Sequence, residues 1–454
     1  MKKQIFFWSL VSALAGFLFG FDTVVISGAE KTIQALWGLS PGLHGVVMAT
    51  ALYGTVLGSL LGSWPTDHFG RKKTLLCIGI LYLLSALGTA AAPGVDIFIV
   101  ARFLGGLGIG ISTVAAPLYI SEIAPPKYRG RLAGMFQFNI VFGILIAYLS
   151  NWLLARTGDD AWRWMLGVAG FPSLLYTLFC FTVPESPRWL LSQGRQEEGL
   201  AVLRRIQPEA SAEEINSLAA EIVAASRTTT KKTSHFWSKR LSVPILLAFF
   251  VAFFNQMSGI NAILYFAPRI FELTGLGTKA AMLQSVGIGF TNLIFTFVGL
   301  WLIDRLGRRT LLYIGSFGYI ASLGLVSWAF FTQHFSIVPA CIFAFIAAHA
   351  VGQGAVIWVL ISEIFPNQYR AAGQSLGSFT HWAFAALLTS VFPIMVQFSG
   401  ANDRPQQAGY IFAFFCGMMV LQLIWVKTMV PETKGVSLEH MQARLGIKPE
   451  PADV

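Results

Sequence analysis

The chain alternates between long apolar runs and short polar connectors. Runs of about 20 apolar residues, the length needed to cross a bilayer's hydrocarbon as helix, occur twelve times. Their approximate limits are 5–28, 45–66, 74–93, 97–121, 132–155, 163–183, 243–271, 280–303, 310–331, 338–364, 372–398 and 408–430. The pattern predicts an all-α membrane protein with twelve transmembrane helices in two six-helix halves. The expected divisions are a first half over 1–184, a polar segment over 185–240, a second half over 241–430 and a tail over 431–454.

The two halves share a motif series. Asp67-His-Phe-Gly-Arg-Lys-Lys73 returns as Asp304-Arg-Leu-Gly-Arg-Arg309, Ser121-Glu-Ile123 as Ser362-Glu-Ile364, and Pro184-Glu-Ser-Pro187 as Pro431-Glu-Thr433. Residue numbers differ by 237 (304 − 67), 241 (362 − 121) and 247 (431 − 184). Each copy stands at the same end of a corresponding span. Six spans plus six with equivalent corners implies like-oriented halves related by an axis along the membrane normal.

Lys and Arg set the expected orientation. The N-terminus, the 67–73, 125–131 and 304–309 loops, the 184–240 segment, Arg370 and the tail, with Lys427 at the end of the last run, hold 25 of the 32 basic residues. Lys31, Arg156, Arg163, Arg269, Lys279 and Arg404 fall on the other side, and Arg102 lies within a span. That bias predicts cytoplasmic termini for a multi-pass protein. The segment between the halves reads as a helical linker without a core of its own. In it, Ser211-Ala-Glu-Glu214 is a capping box that opens a short helix.

Composition narrows the class. Apolar residues make up 55% and charged residues 12%, with a mean hydropathy of +0.64. A soluble domain carries roughly 25% charged residues, so lipid must be much of this chain's solvent. The net charge of +10 is spread in short clusters between apolar runs, which fits topology and excludes a nucleic-acid face. Cys77, Cys180, Cys341 and Cys416 lie within apolar runs, with neither disulfide nor zinc spacing. The first apolar run is longer than a signal-peptide core and lacks a small-residue cleavage site, so it reads as a retained span. Gly105-Gly-Leu-Gly-Ile-Gly110 follows no strand; like Gly54, Gly58 and Gly62, it reads as close helix packing. No Walker loop, nucleophile elbow or metal-binding helix is present, so no enzyme and no cofactor are expected.

The paired Asp-x-x-Gly-Arg corners, Pro184-Glu-Ser-Pro-Arg188, Pro431-Glu-Thr-Lys-Gly435, Trp162-Arg-Trp164 and Gln256-x-Ser-Gly-Ile-Asn261 resemble the sugar porter family of the major facilitator superfamily. The resemblance runs from about Phe17 to Gly435. It implies alternating access around a central sugar site, with a small neutral sugar, protons and the bilayer as partners and a monomer as the working unit.

Three groups of residues carry the expected chemistry. Asp67, Arg71, Glu122, Arg129, Glu185 and Arg188 in one half, and Asp304, Arg308, Glu363, Arg370 and Glu432 in the other, could form an ion-pair latch. A plainer reading leaves them as solvated loop charges. Asp22 is the lone acid deep in an apolar run and Arg102 the lone base, which makes them natural partners. A charge at mid-bilayer costs about 3 kcal/mol or more unless paired or wet. A change in their separation would load or release a proton. Proton-coupled members of the family carry Asp and Arg at these places, whereas the animal facilitative members have Asn at that of Asp22.

A neutral polyol needs amide donors and acceptors and flat aromatic faces, not charge. Span seven offers Asn255, Gln256, Asn261 and Tyr265. On a continuous helix Gln256 and Asn261 would point about 140° apart, so their convergence requires a break near Ser258-Gly259. Through local motifs the resemblance adds Gln137, Asn292, Trp358, His381, Trp382 and Phe19. Four positions depart from the family's usual pattern. Asn255 replaces a second Gln, His381 an Asn or Gln, and His68 an Arg; span ten lacks the common prolines, which predicts a softer kink. The expected function is monosaccharide import by proton symport. A facilitative uniporter, with Asp22 and Arg102 as a static pair, remains open. A transporter-like sensor is disfavoured because only 24 residues (430 to 454) follow the last run.

Overall fold

The computed structural model describes residues 3–125, 128–228, 236–436 and 438–447. Among them, twelve helices are long and apolar enough to cross a membrane, and there are no strands. The spans are Lys3–Gly28, Pro41–Leu61, Arg71–Ala91, Val95–Ile123, Gly134–Leu154 and Ala161–Thr182, then Lys239–Tyr265, Thr278–Leu306, Arg308–Phe331, Phe335–Ile364, Arg370–Phe398 and Pro405–Thr428. They are numbered one to twelve below. The twelve apolar runs of the sequence correspond to them one for one.

Contacts group the chain into two compact units. The first holds Met1–Val25, Tyr53–Ser150 and Thr157–Lys232; the second holds Ile26–Leu52, Asn151–Arg156 and Thr233–Val454. The far ends of spans one and two therefore belong with the second unit, whose spans seven and eleven they touch.

Glycine sets the close packing of the first unit. A Cβ at Gly16 or Gly20 would overlap the carbonyls of Phe136 and Ile140, and one at Gly143 that of Phe17. Spans one and five thus meet backbone to backbone. Spans two and four do the same: a Cβ on Gly58 would lie 2.5 Å from Leu107 O and 3.0 Å from Gly110 Cα. The glycine-rich run of span four is a packing surface, as its sequence context implied.

The linker departs from expectation. Helices Pro187–Ser192, Gln196–Ile206 and Ala212–Thr228 enclose a small apolar core of Leu191, Leu203, Ile215, Ala219 and Ile222. Apolar residues three and four apart on the longer helices supply it, a stripe that the high charge of the segment obscured. The capping box is present: Glu214 N donates to Ser211 Oγ at 3.2 Å, and Ser211 N donates to Glu214 Oε2 at 2.7 Å.

Span ten also differs. It breaks fully at Gly352, between Val338–Val351 and Gln353–Ile364, although the one proline of the span, Pro339, stands at its far end. Gly315 and Gly352 let spans nine and ten approach until a Cβ on Gly352 would stand 2.7 Å from Gly315 Cα. Gln353 then donates to Gln422 Oε1 at 3.0 Å, and Gln422 donates to Ser316 Oγ at 2.8 Å. Buried amides hold the bend that proline would otherwise impose.

Candidate functional site

Span seven stops being a regular helix at Met257 and resumes at Ile260. Gly259 between them sits at φ +85, a left-handed conformation that a side chain disfavours. Ser258 caps both ends of the gap. Its hydroxyl donates to Asn255 O at 2.6 Å and accepts from Ile260 N at 3.3 Å. The ring of Phe415 covers Gly259, where a Cβ would meet it at 2.7 Å.

The break folds the two amides together. Asn261 Nδ2 donates to Gln256 Oε1 at 2.7 Å, and Gln256 Nε2 donates to Asn255 Oδ1 at 2.9 Å. Gln256 Nε2 also lies 3.2 Å from the ring nitrogens of His381 on span eleven. The Gln256 amide is thereby held through both its oxygen and its nitrogen. Asn261 Oδ1 and Asn255 Nδ2 keep no further bond among the described residues, so an acceptor and a donor remain for a hydroxyl.

Aromatic faces adjoin these amides. The His381 ring lies 5.3 Å from that of Trp358 on span ten and 4.6 Å, edge to face, from that of Trp382. Trp358 and His381 are half-buried, Trp382 buried. Tyr265 is fully buried at the end of span seven. Asn292 on span eight is buried, its Oδ1 near the Thr296 hydroxyl at 3.5 Å, and shows no bond to the amide group. Phe19, buried, and Gln137, half-buried, belong to the first unit. The cluster is uncharged throughout, as recognition of a neutral polyol requires.

Asp22 and Arg102 are paired within the first unit. Arg102 Nη1 donates to Asp22 Oδ1 at 2.7 Å, and Nη2 to Asp22 O at 3.2 Å. Both side chains are buried. Asp22 Oδ2 and Arg102 Nε have no partner among the described residues, so the carboxylate keeps one oxygen open. Gly105 on span four leaves the space beside that oxygen.

The two motif corners are built alike. In the first unit Arg71 clasps Glu122 through Nε and Nη2, each at 2.9 Å, and donates from Nη1 to Asp67 at 3.2 Å. The amides of Arg71 and Lys72 donate to Glu185 Oε1 at 2.8 and 3.1 Å. In the second unit Arg308 clasps Glu363 at 3.0 and 2.7 Å and reaches Asp304 at 3.3 Å. There the amides of Arg308 and Arg309 donate to Glu432 at 2.9 and 3.1 Å. Gly70 and Gly307 both sit at φ +91, where a Cβ would strike the carboxylates of Glu185 and Glu432.

These carboxylates titrate in opposite directions. Burial raises that of Glu185 above its ordinary value, with backbone N–H groups opposing the shift. Burial pushes Glu432 the same way, but backbone donation from Lys434, Arg308, Arg309 and Thr433 outweighs it and lowers the group. Arg188 is exposed and makes no ion pair among the described residues, and Asp67 and Asp304 are largely exposed. Arg370 lines a small cavity with Glu363 and Thr433 and pairs with no carboxylate among the described residues. The Arg129 side chain lies outside the described residues.

Over residues 8–445 the sequence matches the family model described as "Sugar (and other) transporter". The chain belongs to this family. It is a multi-pass membrane transporter of the sugar porter group, not an enzyme. It is 33% identical to the D-xylose-proton symporter of Escherichia coli K12, with 97% of this chain and 96% of that one covered. Identity to the galactose-proton symporter of the same organism is 35%, covering 98% and 95%. Its fold matches the inward-open xylose transporter XylE of E. coli with a TM-score of 0.84 at 31% identity, covering 97% of this chain and 99% of that one. The major facilitator fold read from the motifs is thereby established.

Sequence reasoning missed several buried or half-buried polar groups. Glu30, His44, Tyr319, His349, Gln353 and Gln422 escaped it. Tyr319 OH and His349 Nδ1 lie 2.7 Å apart, a pair that neither residue signals alone. An acid at 30 and a His at 44, both at apolar-run edges, were the available signal for the first two.

Proposed function

We propose that this chain imports a monosaccharide, a hexose or pentose, together with a proton by alternating access. The observation that carries the reading is the broken span seven, which gathers Asn255, Gln256 and Asn261 beside His381 and Trp358 without a formal charge. Two amide atoms kept free for hydroxyls and two flanking indoles suit a pyranose better than an ion or a peptide.

Asp22 is the coupling carboxylate in this reading. Arg102 holds it ionised in one state; separation from Arg102 in a buried site leaves protonation as the remaining way to neutralise it. The Arg71 and Arg308 corners hold the ends that face the cytoplasm, where the basic residues concentrate and both termini lie. The membrane is a bacterial inner membrane, and one chain is the working unit. Similarity to xylose and galactose symporters supports both the cargo class and the coupling.

Proteoliposomes with an imposed inward proton gradient test this. Labelled D-xylose, D-galactose and D-glucose are offered singly, with and without a protonophore. At least one should accumulate above equilibrium and lose that accumulation when the gradient collapses. Entry that only equilibrates would establish the uniporter, which the two hydrogen bonds from Arg102 to the carboxylate and backbone carbonyl of Asp22 favour. No entry of any sugar would refute the cargo class.

A further inference from the structure

Span three buries a hydroxyl that has no partner among the described residues. Ser85 is 1% exposed, and its Oγ makes no hydrogen bond there. Other buried hydroxyls of the first unit behave differently. Those of Thr23, Thr89, Ser173 and Thr177 each donate to the carbonyl four residues back, at 2.7 or 2.8 Å. Ser85 turns toward span four instead. A Cβ on Gly105 would stand 2.4 Å from Ser85 Oγ and 3.7 Å from Asp22 Oδ2. Those distances laid end to end put the two oxygens at most 6.1 Å apart, and neither has a partner among the described residues. Glycine at 105 keeps a side chain out from between them. All of these residues lie in the first unit.

Asp22 spends its other oxygen on Arg102, whose Nη1 donates to Oδ1 at 2.7 Å. Among the described residues, the charged or titratable groups around this carboxylate are Arg102 on span four and Tyr82 on span three. Tyr176 of span six lies beyond Tyr82. Span five packs on span one through Phe136 and Ile140, and its single titratable residue, Tyr148, stands about two turns from Ile140.

A proton that arrives from water finds Oδ1 facing a guanidinium, so it bonds to Oδ2. The product is a neutral carboxyl whose O–H needs an acceptor, because an unbonded O–H in a buried site is costly. Arg102 carries donors only and cannot serve. Ser85 Oγ has lone pairs to spare, and its own hydrogen can turn to the carbonyl of Leu81, four residues back, as its neighbours' do. The ionised carboxylate has no such need, since Arg102 already satisfies it. We propose that Ser85 is the acceptor that holds the proton-loaded form of Asp22, and so positions the coupling proton without itself titrating. The inference rests on the reading of Asp22 as the coupling carboxylate. A bond made only by the loaded form raises the proton affinity of the site.

The test needs no sugar. Infrared difference spectra of the full chain in lipid nanodiscs, stepped from pH 9 to pH 4, follow the carboxyl C=O band that Asp22→Asn removes. In Ser85→Ala the pH of half-protonation should fall by about one unit, tenfold in proton affinity, because the acid O–H loses its acceptor. Its melting temperature should not fall, since this hydroxyl has no bond to lose in the ionised form. Ser173→Ala, which removes an equally buried hydroxyl, and Tyr82→Phe should each stay within about twofold of wild type. Ser85→Cys, with a weakly accepting sulfur, should shift downward too, and it decides if Ser85→Ala does not fold. An unmoved half-protonation overturns the proposal. So does a rise, which would show the hydroxyl serving the ionised form, or a fall in Tyr82→Phe in place of Ser85→Ala. Absence of any titrating Asp22 band in wild type would overturn both this inference and coupling through Asp22. A wild-type band that Ser85→Ala leaves unmoved would remove Ser85 alone.

Discussion

Asn261 donates its side-chain amide to Gln256 at 2.7 Å across five residues of one transmembrane span. On an unbroken helix the two would point about 140° apart. One left-handed glycine makes the contact possible.

Gly259→Ala therefore strikes the amide group without touching it. The added methyl faces a left-handed backbone cost of roughly 1 kcal/mol and the Phe415 ring at 2.7 Å. We expect sugar uptake to fall by about tenfold or more, in line with the cost of misplacing positioning groups. Initial uptake rates in proteoliposomes, beside a melting curve, provide the check. Wild-type uptake in this variant would show that the break is dispensable.

Asp22→Asn should abolish accumulation against a gradient yet leave counterflow of labelled sugar intact. Arg102→Met alone leaves the Asp22 carboxylate buried and unpaired, which costs about 3–5 kcal/mol. The double variant Asp22→Asn/Arg102→Met should regain most of that stability. Thermal unfolding of the three proteins measures it, and a double variant no more stable than Arg102→Met would refute the pairing argument.

The two corners should answer acid differently. Glu432 has a lowered folded-state value, so its contribution is complete above its ordinary 4.5 and is lost as pH falls through the folded value. Glu185 has a raised value, so the folded state prefers it protonated and its contribution declines as pH rises past 4.5. Glu432→Gln should thus cost more at pH 7 than at pH 4, with a loss of about 1–3 kcal/mol from its backbone donors. Glu185→Gln should show the smaller loss at pH 7. Melting temperatures at the two pH values test the sign of each.

Gln422→Ala removes the middle member of a buried polar chain and strands the Gln353 side-chain N–H, while Ser316 keeps its bond to Leu312 O. Each buried group left unpaired costs about 1–3 kcal/mol. Because those bonds hold the bend of span ten, transport should slow along with the loss of stability. Unfolding midpoints and uptake rates measured on the same preparation report both.

The fold was largely legible because lipid leaves few options: a backbone in hydrocarbon must satisfy itself, so length and hydropathy report spans directly. The break at Gly259 could be deduced because Gln256 and Asn261 have a known spacing and a shared chemistry. The break at Gly352 could not, since it depends on Gly315, Gln422 and Ser316, which are distant in sequence and unremarkable singly. Glu30 and His44 escaped for the same reason. Each reads as a loop-edge polar residue until Glu30 meets His44 and Arg269, the latter from the other end of the chain. The linker core was hidden because its apolar stripe is short and surrounded by charge.

The glycine contacts of spans one and five have a mechanical consequence. Gly20 stands two residues before Asp22, and its contact carbonyl, Ile140, stands three after Gln137. No compressible side chain lies between those two backbones. A carboxylate displaced along its helix axis would thus drag the neighbouring amide with it, as a stiff lever does, and little of the stroke would be lost to elastic give.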